Sequence, residues 1–212
     1  MTGATIITTF ELQVNDVTEL SSVEELALAN RVYKKICREQ PWEFLKKQDA
    51  GSILTDATGS YITLPADFIA FTENFTYTNN SISVENNAAP KVIFTGTSYT
   101  PNQIINWSDR RQYLNSQGYA YVDIANSKIR FTAAPADATY EFDYYYTPDD
   151  LTTATSPVFP ADFHNIIVFG MAVENDILQL SEKAKSYAAE NQAKYSQYLL
   201  DLKYYNANLR YD

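Results

Sequence analysis

Few side chains in this sequence are suited to nucleophilic, acid–base or metal chemistry. There is one histidine, His164, and one cysteine, Cys37. A Ser-His-Asp arrangement needs a histidine aligned with a nucleophile, and the glycine pattern of a nucleophile elbow is absent. Cys37 lies on a predicted amphipathic helix, where a small core residue is expected rather than a reactive thiol. One His and one Cys make a zinc site only if carboxylates complete it, and no glycine-rich phosphate loop is present.

Two aspartates recur in the same short motif, which reads LPADF up to Phe68 and FPADF up to Phe163. Paired carboxylates are a common acid–base set, so Asp67 and Asp162 are the remaining candidates for catalysis. The flanking sequences share nothing, which argues against a repeated structural unit. The second copy predicts a helix start with Pro160 in its first turn, and the first copy predicts a tight turn between strands. We interpret the motif as one local turn used twice. The sequence therefore predicts no catalytic, cofactor-binding or metal-ligating residue, and no enzyme.

Composition narrows the classes of partner. The net charge is −10 and the isoelectric point is about 4.6, so the chain lacks the basic footprint that grips phosphates. A hydrophobic content of 45% is enough for an ordinary core. The longest apolar run, Ile166–Val173, is too short to cross a bilayer. We expect a soluble protein with no membrane partner and no specific binding to DNA.

The first fifty residues have helical periodicity. Phe10, Val14 and Val17 are at helix spacing, with Thr8 as a possible cap, although alternating residues leave a strand as the alternative. A second helix is capped by Ser21 with Glu24, or by Ser22 with Glu25, and Pro41 ends it. Its predicted apolar stripe comprises Val23, Leu26, Ala27, Tyr33, Ile36 and Cys37. Trp42 and Phe44 follow Pro41 and are expected to anchor the exit of this helix.

Residues 51–150 have the short alternating runs and turn residues of strands. YAYVDI and SKIRFT predict a hairpin, SISVE and KVIFT predict another, and residues 106–118 predict a loop with a helical turn. TYEFDYYY places Tyr140, Phe142, Tyr144 and Tyr146 on one face. The predicted class is α+β, with a helical bundle from residues 1–50 and 151–212, a C-terminal arm, and a β-rich insertion lobe from residues 51–150.

The closing helices have more apolar and aromatic surface than a short hairpin needs. The third helix is apolar nearly all round, so either it is the central helix of a monomer or one side meets a neighbouring subunit. The last helix carries a heptad seam, spaced four and three, of Ala184, Ala188, Asn191, Tyr195, Tyr198, Leu202 and Tyr205. We expect a subunit interface at Phe169, Met171, Tyr195 and Tyr198. We expect the tail, from about Tyr204 to Asp212, to dock on a partner and to contribute little to the subunit fold, or to be a frayed end without a role. Its candidate docking residues are Tyr204, Tyr205, Leu209, Arg210 and Tyr211.

The order of these features resembles the head-to-tail adaptor, or connector, proteins of tailed bacteriophages, a group that includes the tubular adaptors of short-tailed phages. Three segments carry the resemblance: PWEFL at Pro41–Leu45, YITLPADF at Tyr61–Phe68, and FPADFHNIIVFGMAV at Phe159–Val173. In layout the resemblance covers the whole chain. The β region is longer than in the minimal adaptors of long-tailed phages.

The resemblance implies a structural virion protein. It implies a homo-oligomeric ring, a dodecamer, between the portal protein and a tail protein at the head–tail junction, assembled in the host cytoplasm and needing no cofactor. An acidic lumen would let DNA pass through the channel without specific binding. A tail-completion or stopper protein of the virion is the alternative. In a different class, a carbohydrate-binding β module would use exposed tyrosines and Trp107.

Overall fold

A computed structural model describes residues 1–14, 20–72, 77–79, 82–84, 91–95, 100–133, 139–178 and 182–209. Within these residues the chain has four α-helices and two sheets, so the predicted α+β class is confirmed. The chain divides into two compact units. The helical unit comprises Met1–Leu45 and Thr147–Asp212, and the β unit comprises Lys46–Tyr146.

The first helix, α1, spans Gly3–Val14, so the helical interpretation is confirmed over the strand. It starts before the predicted cap, because its first amides bond to a loop: Gly3 N–H donates to the Thr155 carbonyl at 2.9 Å and Ala4 N–H to that of Thr153 at 3.1 Å. Thr8 therefore lies inside the helix, and its predicted capping role is wrong. The buried side of α1 includes Phe10.

The second helix, α2, spans Ser22–Arg38 and begins at the predicted capping box of Ser21 with Glu24. The hydrogen bonds from Ser21 lower the pKa of the Glu24 carboxyl. The predicted stripe is right only in its C-terminal half, since Val23 is 76% exposed. Thirteen residues at about 100° each place Val23 roughly 140° around the helix from buried Ile36. The buried side of α2 contains Glu25, Leu28, Ala29, Val32, Tyr33, Ile36 and Cys37.

The third helix, α3, spans Asn165–Leu178, and the fourth, α4, spans Glu182–Asn208. A 3-10 turn at Ala161–Phe163 precedes α3. The other three helices all contact α3. This explains how a helix with so little polar surface is accommodated. None of the described helices combines the length and apolar character needed to cross a membrane.

The repeated pentapeptide makes the same turn in both places. Phe68 N–H donates to the Pro65 carbonyl at 3.1 Å, and Phe163 N–H donates to the Pro160 carbonyl at 3.0 Å. The first copy links two strands and the second leads into α3. The interpretation of one local turn used twice is confirmed.

Trp42 is the anchor of the chain after α2. Its side chain is fully buried, and Nε1 donates to the Ile36 carbonyl at 2.8 Å, near the C-terminal end of the helix. Phe44 stacks on Trp42 with 5.3 Å between ring centroids, and it also contacts Phe159. A 3-10 turn at Glu43–Leu45 follows, as the proline and aromatic pattern predicts.

The β unit contains eleven strands among its described residues: β1 Lys46–Ser52, β2 Leu54–Asp56, β3 Gly59–Thr63, β4 Phe68–Phe71, β5 Tyr77–Asn79, β6 Ile82–Val84, β7 Lys91–Thr95, β8 Thr100–Ile105, β9 Tyr119–Asp123, β10 Lys128–Phe131 and β11 Thr139–Tyr146. The main sheet has the order β1-β11-β7-β8-β9-β10-β3-β2, and β4 also pairs with β11. Only β8 and β9 are parallel among these pairings. The hydrophobic core is formed around Ile62, Ile129 and Phe142.

Local sequence predicts one hairpin correctly and the other incorrectly. β9 and β10 pair as expected, through a 3-10 turn at Ile124–Asn126 and a left-handed residue at Ser127. The hairpin of SISVE with KVIFT is wrong, because β6 pairs with β5 and β7 pairs with β8 and β11. The partners of β7 include a strand more than forty residues away, and such a choice depends on the whole sheet. The helical turn in residues 106–118 is confirmed at Asp109–Tyr113.

A charged cluster ties β10 to its neighbours. Buried Arg130 donates to Asp123 at 2.9 Å and to Asp56 at 3.1 and 3.2 Å, and Lys128 donates to Asp56 at 2.8 Å. Hydrogen bonds from Arg130, then Lys128, hold the pKa of Asp56 well below its usual range. Because each buried charge has a partner, this cluster fixes the positions of β2, β9 and β10 rather than forming a reactive site.

Replacement of Trp42 by alanine is expected to lower the free energy of unfolding by roughly 3–5 kcal/mol, because a fully buried ring is removed. Chemical denaturation of the purified protein measures this. Trp107, which is 47% exposed, is the matched control, and Trp107→Ala should cost clearly less. A loss under about 1 kcal/mol for Trp42→Ala would show that Trp42 does not anchor the fold.

Candidate interaction surfaces

The residues whose side chains are best suited to catalysis or metal binding have structural roles in the fold. Cys37 is buried, as expected for a core residue, and burial raises the pKa of its thiol to about 12. Asp67 accepts from the Tyr144 hydroxyl and from Lys47, each at 2.9 Å, whereas Asp162 is exposed and belongs to the other unit. Among the described residues, no three His, Cys, Asp or Glu side chains are grouped so that they could hold a metal ion.

His164 is buried beside the turn that precedes α3. Its Nε2 lies 2.8 Å from the Phe159 carbonyl oxygen, and its Nδ1 lies 2.6 Å from the amino group of Met1. A proton on Nε2 satisfies both contacts, since Nε2 then donates to the carbonyl and Nδ1 accepts. Burial lowers the pKa of the imidazole, so the neutral ring is favoured. The histidine joins two parts of the helical unit and has no adjacent nucleophile in these contacts.

The predicted docking tail is partly described. Tyr204 is 63% exposed, and Leu209 is also exposed. The Tyr205 ring contacts Phe163 at 5.4 Å between centroids. Part of this ring is therefore covered by its own subunit and is not open to a docking partner. Leu209 N–H donates to the Tyr205 carbonyl at 3.2 Å, which continues the helical pattern. Arg210 and Tyr211, the other two candidates, lie outside the described residues.

Asn206 shows that the fold extends further into the tail than the sequence predicts. Its side chain is buried, and Oδ1 accepts from Glu43 N–H at 2.7 Å. Nearby, Lys203 pairs with Glu39 at 2.9 Å. The expectation that everything from Tyr204 onward contributes little to the fold is therefore wrong. Among the described residues, Asn206 is the last position of α4 with a buried attachment of this kind to the segment that follows α2.

The seam of α4 is correct from Ala188 through Leu202 and then shifts by one residue; the side chain of Ala184 lies outside the described part of the structure. Asn191 is buried and its Oδ1 accepts from Gln13 at 3.2 Å, and Leu202 is fully buried. The next buried position is Asn206, where the strict heptad predicts Tyr205. A straight helix with 3.6 residues per turn drifts relative to a seven-residue repeat, which accounts for the shift.

The predicted subunit-interface residues fall into a surface pair and a buried position. Phe169 stacks on Tyr198 with 5.5 Å between centroids, both rings are half-buried, and the Lys194 ammonium lies 5.3 Å from the Phe169 centroid. Met171 is fully buried within the helical unit, so it is not part of this surface. The structure thus brings Phe169 and Tyr198 together at the α3–α4 contact.

Tyr195, the fourth predicted interface residue, covers the point where α2 and α4 approach α3. An added methyl group at Gly170 would lie 2.5 Å from Val32 and 3.0 Å from the Tyr195 ring, so only glycine fits this approach. Burial first, and then the negative charges of Glu39 and Glu174, raise the pKa of the Tyr195 hydroxyl. Its hydroxyl end therefore lies near carboxylates of both α3 and the end of α2.

One candidate surface was missed at the sequence level. Four cations on α2 are spaced three, one and three residues apart, and they share a helix face: Arg31, Lys34, Lys35 and Arg38. Together with Glu39 they line an open cavity of about 550 Å³. We call these four residues the basic stripe. The favourable effect of cations at a helix C-terminus explains Lys35 and Arg38 but not Arg31 and Lys34. The spacing of the four cations is therefore the sequence feature that could have identified this surface.

Trp107 and its neighbours form a second exposed cluster, in the β unit. The Arg110 guanidinium lies 3.8 Å from the Trp107 ring centroid, and Tyr121 meets the same indole edge to face at 5.4 Å. One face of the indole is therefore covered by a cation. A sugar ring normally stacks on an open aromatic face, so this geometry does not favour the carbohydrate-binding alternative.

A family model described as SU10 adaptor protein matches residues 1–211. The match covers nearly the whole chain and therefore both units. A search of curated proteins returned no match.

His164 predicts a pH dependence of stability. Because its pKa is lowered by folding, the unfolded chain binds the proton more readily, and stability is lost as the pH falls below about 6.5. We expect the melting temperature to fall between pH 7 and pH 5, and His164→Gln to reduce that dependence. Differential scanning calorimetry of both proteins across this range measures the effect. Equal slopes for the two proteins would contradict the assignment.

Proposed function

Since this chain belongs to the SU10 adaptor protein family, we propose that it forms a ring between the portal and the tail of a bacteriophage particle. The family makes it a structural adaptor of a phage, and the sequence resemblance to head-to-tail adaptors is thereby confirmed. The ring, the portal and tail contacts, the position at the head–tail junction and assembly in the host cytoplasm are the parts that we propose. The family match over residues 1–211 is the observation that carries the proposal.

The helical unit is the part of the chain that we assign to ring formation. We propose that both chain ends form one helical bundle, with the β-rich region as an insertion lobe; the contacts of α3 with the other three helices support this. A closed ring requires two different surfaces on each subunit to meet. Phe169, Tyr195 and Tyr198 provide one such surface, because half-buried aromatic side chains are typical of protein interfaces.

The negative net charge of the chain supports a channel through which DNA passes. With a net charge of −10, a ring of these subunits would have many carboxylates, and an acidic lumen would repel DNA phosphates. DNA would then pass without specific binding, and neither a cofactor nor a catalytic step is needed.

Negative-stain electron microscopy, combined with size-exclusion chromatography and light scattering, tests the ring directly. The protein is examined alone and mixed with a purified portal protein. Closed rings of a fixed subunit number, the resemblance implying twelve, would support the proposal. A protein that remains monomeric both alone and with the portal would overturn it.

Deleting the end of the tail should affect partner binding and subunit stability differently. Deletion of Leu209–Asp212 should leave the melting temperature nearly unchanged, because the last buried attachment of α4 is Asn206. Association with the portal or tail protein should weaken, because Leu209, Arg210 and Tyr211 are removed. Calorimetry and a pull-down with each partner measure the two effects.

Asn206→Ala is the matched control for the deletion. It leaves the Glu43 N–H without its acceptor and should lower the free energy of unfolding by about 1–3 kcal/mol. If the truncated protein binds both partners as tightly as the full chain, the tail is not a docking arm, and the docking surface lies elsewhere.

A further inference from the structure

The basic stripe on α2 is unusual for this protein. It holds four of the sixteen Lys and Arg residues of an acidic chain within eight positions. Like charges three and four residues apart on a helix repel one another and destabilise it. A local cost of this kind, retained in a folded protein, is a common sign of a functional surface.

The chain neutralises only part of the stripe. Arg31 pairs with Glu174 at 2.5 Å, and Lys34 pairs with Asp150 at 2.5 Å. Lys35 and Arg38 are both exposed, and none of the carboxylates in the described part of the chain lies within ion-pair distance of them. As far as the described residues are concerned, two cations at the C-terminal half of the stripe are therefore left to pair with a partner.

The surroundings of the stripe also fit a protein partner. The cavity that it lines is open and about 550 Å³ in volume, and Glu39 forms part of its wall. Glu39 and Glu174 both act on the Tyr195 hydroxyl, so the aromatic residue assigned to the ring contact lies beside the same carboxylates. Cations, carboxylates and a half-buried tyrosine together are typical of a protein–protein contact.

We propose that the basic stripe binds the acidic surface of a second copy of this chain, with Lys35 and Arg38 making the ion pairs. This inference rests on the proposed ring and identifies one of its two contacting surfaces. Charge complementarity selects the occupant: without the stripe, a neighbouring copy has twelve Lys and Arg against 26 Asp and Glu. The stripe meets that excess and offsets the mutual repulsion of like-charged subunits.

DNA is the competing anionic partner, and the structure disfavours it. Glu39 lines the cavity together with the cations, so a phosphate backbone lying there would meet a carboxylate. Arg31 and Lys34 are already paired with Glu174 and Asp150. Two unneutralised cations are few compared with the six to ten phosphate contacts, roughly, of DNA-binding proteins. The net charge of −10 also repels a duplex at long range.

The test is charge reversal in the full-length chain. Lys35→Glu/Arg38→Glu should weaken self-association by at least about tenfold, measured by sedimentation velocity, and should reduce ring formation on micrographs. Self-association of the unmodified protein should also weaken between 0.05 and 0.5 M salt, on the order of several-fold, because exposed ion pairs are screened. Both residues are exposed, so we expect only a small fall in the melting temperature, caused by placing two negative charges near the C-terminal end of α2.

Two further variants make the result specific. Arg110→Glu/Arg111→Glu changes the net charge by the same amount within the β unit and should self-associate like the unmodified protein. If the reversal lowers the melting temperature, Lys35→Gln/Arg38→Gln removes the charges without introducing repulsion and should still weaken association. A 20-base-pair duplex with a fluorescent label is the probe for DNA binding, measured by anisotropy.

Each outcome decides between the possibilities. Rings that assemble equally well with the charge-reversed and neutral variants overturn this inference and leave the proposed adaptor ring intact. The absence of rings from the unmodified protein, with and without portal, overturns the proposed function and this inference with it. Duplex binding that is lost with Lys35 and Arg38 shows a phosphate site and also overturns the assignment to a second copy.

Discussion

The helix α3 is apolar on nearly its whole circumference between Ile166 and Val173, and α1, α2 and α4 all contact it. A helix without a polar side is stable in water only when neighbours cover it on several sides. Two of those neighbours precede the β unit in the chain and one follows it. Covering α3 therefore requires the two ends of the chain to come together, and the strands between them to form a unit with its own core.

The close approach at Gly170 shows how tightly that requirement is met. Val32 of α2 and the Tyr195 ring of α4 occupy the space that a side chain at this position would need. The same Tyr195 is influenced by Glu39 and Glu174, the carboxylates that border the basic stripe. The Tyr195 side chain thus packs against the core with its ring and lies near the charged residues of the α2 surface with its hydroxyl group. A surface built on such a support is held in position, which a specific contact between subunits requires.

Sequence reasoning succeeded where the signal is local. The Ser21–Glu24 capping box, the β9–β10 hairpin and the Pro-containing turn before Phe68 and Phe163 each depend on residues a few positions apart. It failed where the outcome depends on distant partners: the pairing of β7, and the buried side of α2 at Val23. For the candidate surfaces, the subunit interface at Phe169 and Tyr198 stays a prediction, although the structure brings the two rings together. Neither the attachment of Asn206 to Glu43 nor the incomplete neutralisation of the basic stripe was accessible without the fold.

The strands β1 and β11 open and close the β unit, and they pair in antiparallel register with Lys46 opposite Tyr145. Residues opposite one another in such a ladder have Cα atoms only about 4.5–5.5 Å apart. The chain consequently leaves the helical unit and returns to it at almost the same point. A segment whose two ends meet can be replaced by one of different length, or by a short turn, with little effect on the rest of the subunit. Residues 46–146 are therefore an insertion whose length and sequence can change without moving the two points at which the chain leaves and re-enters the helical unit.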